Sequence, residues 1–186
     1  MTARRVLIAI AWVWWAAAGA NAQQALELVE RTLAIVGGRA VTLSDVRAAT
    51  ALGLIDGTLD LDLATETLVE RMLVLREVER YAPPEPQRQE LDLRWGAMQK
   101  RFSDEELASI LKASGFTEAR LRAWIRDDLR IAAYLTQRFA AAADGPADQT
   151  APEVREKLSN ERRERLIADW IADLRRRTQV VELWRR

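Results

Sequence analysis

The chain of 186 residues contains no cysteine and no histidine. Without them, Ser/His/Asp and Cys/His nucleophilic arrangements, the usual zinc sites and haem attachment are excluded. No disulfide framework is possible, so packing must supply the stability. Neither sign of charge dominates, with 28 Lys plus Arg against 28 Asp plus Glu, and this balance gives no general attraction for nucleic acid or anionic lipid. No cofactor or metal is expected.

What is present begins with a leader. Arg4 and Arg5 precede an uncharged apolar or small run over residues 6–20, and Ala20-Asn21-Ala22 fits the small-x-small pattern of a cleavage site. About 15 apolar residues rise only about 22 Å as helix, short of the roughly 30 Å a membrane span needs. Residues 1–22 therefore read as a cleavable secretory signal, which sends the mature chain out of the cytoplasm. Removing them leaves 26 basic residues against 28 acidic ones and takes Trp12, Trp14 and Trp15 out of the core.

The mature chain divides into a helical region over 23–139, a linker over 140–151, and a helix with a strand over 152–186. Leu33 to Val36 and Arg39 to Val41 flank Gly37-Gly38 as a β-hairpin would. Thr42 and Asp45 form a capping-box-like start for a short helix to about Leu52. A second helix is expected over 64–80, ended by Pro83-Pro84 and Pro86. A third covers 87–100, with Leu91, Trp95 and Met98 in a stripe. Ser103 with Glu106 caps a fourth, Gly115 ends it, and Thr117 opens the most amphipathic one, carrying Leu121, Trp124, Ile125, Leu129, Ala132 and Leu135. Pro152 opens the last helix, which runs to Arg177, its early turns exposed around Glu161 to Arg165. The β-prone end, 179–184, must be paired if it is buried, and the expected partner is the Leu33 to Val36 strand.

Of the polar candidates, Asp127-Asp128 and Asp104-Glu105-Glu106 offer paired acids, but solvent-face and capping roles account for them. Gly37-Gly38 lacks the Lys-Ser/Thr of a phosphate loop. Arg162-Arg163 and Arg175-Arg176-Arg177 alternate with acids as a solvated helix face does. The surplus is aromatic and apolar: core packing explains most of it, while an open groove between the Trp95 and Trp124 helices would use some of these residues to bind apolar segments. Trp95, Met98, Phe102 and Phe116 are the candidate peptide-binding residues.

Residues 35–46, IVGGRAVTLSDV, together with Leu68 to Leu73, Phe102 to Leu107, Gly115-Phe116-Thr117, Leu121-Arg122, Asn160 to Arg163 and Trp170 to Arg175, resemble in order the chaperone module of SurA-type periplasmic proteins, a superfamily of SurA-like and trigger-factor-like domains. The resemblance spans most of residues 30–184. It implies a mostly α fold, a SurA N-terminal-like helical domain with a small hairpin or sheet completed by the C-terminal strand. Members usually carry parvulin-type prolyl isomerase domains where this chain has only the 140–151 linker, so the implied function is binding without isomerase activity. The expected partners are unfolded outer-membrane or secreted polypeptides with apolar and aromatic segments, and nucleic acid is not among them. The alternative is a structural or assembly subunit dedicated to one periplasmic partner. Self-association by exchange of the last helix is compatible with the linker.

Overall fold

A computed structural model describes residues 30–55, 60–140 and 152–185. The expected signal at 1–22 lies outside these residues, as does all of the expected linker except Ala140. Six helices and three strands occur among the described residues: β1 Thr32–Val36, β2 Arg39–Thr42, α1 Leu43–Ala51, α2 Leu61–Tyr81, α3 Arg88–Gln99, α4 Asp104–Ser114, α5 Glu118–Arg138, α6 Pro152–Arg177 and β3 Val180–Glu182.

The hairpin forms because Gly37 (φ 51°) and Gly38 (φ 87°) occupy the left-handed region that a tight β-turn demands. It pairs Val36 with Arg39 and Ala34 with Val41, with a register irregularity between Thr32 and Ala34. β3 then adds antiparallel to the other edge of β1, Val36 opposite Val180 and Ala34 opposite Glu182, giving the order β2-β1-β3. The Gly37 amide donates to the Gln179 carbonyl and the Leu183 amide to that of Leu33, extending the ladder past both ends of β3. The terminal strand thus pairs where the sequence places it.

Helix ends follow local chemistry. Thr42 and Asp45 make both bonds of a capping box, even though aspartate stands where glutamate is usual, and Ser103 with Glu106 does the same. Accepting the Ser103 bonds lowers the Glu106 pKa. Thr117 caps α5, and Gly115 (φ 66°) ends α4. One boundary differs from expectation: α2 begins at Leu61, not 64, because Asp60 accepts from the Asp62 and Leu63 amides and starts the helix earlier.

Two apolar clusters result. The larger joins the sheet to α2 and α6 through Leu33, Val36, Val69, Leu73, Val78, Trp170, Leu174 and Trp184. The smaller fills the space among α1, α3, α4 and α5 with Leu52, Leu107, Leu121 and Ile125. Trp124 packs against both. Arg175 pairs with Glu66 and Glu182, and Arg185 with the same two acids at 3.3 and 3.1 Å, so one charge cluster ties α2, α6 and the C-terminal strand together. No helix of the described residues is long and apolar enough to cross a membrane.

Candidate functional site

The four residues proposed from the sequence do come together. Trp95 and Met98 of α3 and Phe116 before α5 are buried in the smaller cluster, and Phe102 packs against it half-buried. At exposures of 8%, 7% and 4%, Trp95, Met98 and Phe116 offer little free surface, so in this conformation their main contacts are internal. Guanidinium groups cover the outer ring faces: Arg122 lies 3.9 Å from the Trp95 centroid and Arg120 4.5 Å from that of Phe116. Of the four, Phe116 lines one cleft and Met98 a second, whereas Trp95 and Phe102 line neither.

The first cleft, about 180 Å³, opens where β2 and α1 meet α2 and α5. Leu68, Met72 and Leu75 of α2 form its apolar side, Phe116 and Trp124 its aromatic side. These positions converge for a simple reason: residues 68, 72 and 75 recur at four and three along one helical stripe, the spacing that keeps one face turned to a neighbour. Arg71, Arg120, Asp45 and Asp127 stand among them. Asp45 is buried and already accepts from the Thr42 amide and hydroxyl, while the Arg120 guanidinium donates to its other oxygen.

The second cleft, about 470 Å³, lies between α3 and α5 beside the turn after α1, where the sequence reading expects a groove. Met98, Ala97, Ile125, Leu129 and Ala132 line it, with Arg94, Arg101 and Asp128 as its charged members. An ion pair connects it to the first cleft. Arg71 donates from Nε and one terminal nitrogen to a single Asp128 oxygen, at 3.1 and 2.8 Å, and its guanidinium sits 3.8 Å from the Trp124 ring centroid. Burial raises the Asp128 pKa, and the Arg71 charge opposes that rise. Trp124 Nε1 is buried and approaches the same carboxylate closely enough to lower its pKa, though not in the alignment of a full hydrogen bond.

The paired acids at 127 and 128 are therefore divided between partners, Asp128 on Arg71 and Asp127 on Arg126 and Arg130. This arrangement suits ion pairing, not a carboxylate couple sharing one substrate. No three acidic side chains among the described residues are grouped to hold a metal ion. Met72 and Trp124 belong to the apolar and aromatic surplus the sequence shows but not to its four candidates, and Arg71 belongs to neither; the pairing of residues 71 and 128 spans two helices and leaves no local signal. The chemistry on offer is apolar capture with aromatic and guanidinium walls. No protein-family model matches the chain, and no curated protein matches it either.

Proposed function

We propose that this protein is an exported, ATP-independent chaperone-like module that binds extended apolar or aromatic segments of other polypeptides in the periplasm, without isomerase chemistry. The observation that carries this reading is the first cleft, in which apolar α2 side chains face Phe116 and Trp124 and arginines lie over both rings. Its size suits one large side chain. Burying an aromatic group of about 200 Å² contributes roughly 5 kcal/mol before ordering costs, which by itself reaches only the sub-millimolar range, so micromolar binding requires flanking contacts beside the anchored ring and release is fast.

The test is binding of aromatic-rich peptides by fluorescence anisotropy, alongside suppression of aggregation of an unfolded β-barrel client. Met72→Glu places a charge in the half-buried wall of the cleft and is expected to weaken peptide binding at least tenfold while far-UV circular dichroism stays unchanged. A wild-type chain that neither binds such peptides nor delays aggregation sinks the proposal. The alternative, a subunit for one dedicated partner, draws on the ion pairs Arg71–Asp128 and Arg120–Asp45, which hold the cleft walls in one shape. Tight one-to-one capture of a single periplasmic protein, with no affinity for unrelated unfolded clients, would decide for it.

A further inference from the structure

Helix α6 has two unlike sides. Trp170 and Leu174 are buried against the body, and Ile167 and Ile171 are half-buried beside them. Roughly half a turn away, Leu158, Glu161, Arg165, Ala168 and Ala172 form a separate line. Leu158 is 47% exposed, the Arg165 side chain 77% and that of Glu161 41%, and both alanines are exposed. Their spacing is three, four, three, four, the repeat that keeps one seam facing a second helix along its length. Every line along a helix recurs at that spacing; what distinguishes this one is that it joins an exposed leucine to an acid, a base and two small alanines, and the leucine gains by being covered.

We infer that this seam is a contact with a second copy of the same chain, the two α6 helices lying antiparallel. In the register that sets Leu158 of one copy opposite Ala168 of the other, Glu161 falls opposite Arg165, and two-fold symmetry repeats both pairs. Large meets small, acid meets base, and each does so twice. A parallel arrangement sets Glu161 against Glu161 and Arg165 against Arg165. Sliding the antiparallel pair by one heptad in either direction sets both charges against uncharged residues. One orientation and one register are thus favoured by charge alone.

Within one copy Glu161 and Arg165 already approach to 3.7 Å as an exposed i,i+4 pair. Such a pair is worth little in water, so its members are free to share a partner's charge. The seam lies opposite Trp170 and Leu174, and its Ala168 and Ala172 border the open cleft that Ile167 and Ile171 share with Glu70 of α2, so a second helix reaches it without displacing the α2–α6 packing. This contact differs from an exchange of α6, which leaves the outer seam bare.

Sedimentation of the full chain over a range of concentrations tests the inference. Wild type is expected to dimerise weakly, in the micromolar range. Glu161→Arg and Arg165→Glu should each weaken self-association by about tenfold or more, because each sets like charges face to face twice. Mixing the two variants restores every pair and should recover a dimer. Circular dichroism of each variant reports whether α6 persists. As a second measurement, Leu158→Cys combined with Ala168→Cys in this cysteine-free chain should oxidise to a covalent dimer. Ten residues along one helix is about 15 Å, too far for an internal disulfide. A chain that stays monomeric throughout overturns the inference; so does a dimer indifferent to both reversals or not recovered on mixing.

Discussion

Gly37 and Gly38 show how much one atom can matter in this fold. Both have positive φ, but a Cβ on Gly37 would run into the Arg76 side chain, whereas one on Gly38 meets open space. Arg76 donates to the Gly37 carbonyl, so moving it away also breaks the bond that holds the turn to α2. Gly38→Ala should therefore cost about 1 kcal/mol, the backbone share alone, and Gly37→Ala about 2–3 kcal/mol. Urea midpoints of the two variants give the comparison; equal losses would mean that the Arg76 contact contributes nothing. Glu30 illustrates the reverse case, a carboxylate held below its usual pKa by the Ser44 hydroxyl and, after it, by that of Thr42.

Among elements, β3 carries more than its three residues suggest. Val181 lies opposite Ile35, between the flanking main-chain bonds of Gly37 to Gln179 and Leu183 to Leu33. Val181→Pro removes an amide hydrogen from that ladder and is expected to cost about 3 kcal/mol, lower the melting temperature by several degrees and open the chain end to proteases. This strand was legible because its β-prone run follows a clear helix and needs a partner. The caps at Thr42, Ser103 and Thr117 were legible for a related reason: capping is decided within four residues. The start of α2 was not, since Asp60 has Leu63 three positions on and so lacks the box signature. The candidate site was read only in part. Trp95 and Met98 share a stripe with Leu91, but periodicity cannot tell whether a stripe faces core or groove. Arg71 lies on α2 and Asp128 on α5, and only tertiary packing brings the two together.

For the molecule as a whole, pH acts through carboxylates that folding makes uncomfortable. The Glu70 side chain is exposed, but partial desolvation of its carboxyl, and then the charge of Glu66, raise its pKa, with Arg175 pulling the other way. A raised acid pKa means the native state holds its proton more tightly than the unfolded chain does. The resulting penalty is fully present above the native pKa and vanishes as pH falls below the unfolded one. Glu70→Gln should accordingly raise the melting temperature at pH 7, by only about 1–2 °C because the site is open to solvent, and the gain should disappear near pH 3.5. A gain of equal size at both pH values would trace the effect to packing instead of charge. The sheet sets a different kind of limit, one of timing. Its central strand lies near the start of the described chain, and one of its two neighbours is the last strand described. A chain made from the N-terminus can form the hairpin early, yet one edge of β1 stays bare until the six helices α1–α6 have been synthesised. The order of synthesis thus makes β3 a check on the helices before it: chains cut short of it keep an open sheet edge, which marks them for aggregation or degradation.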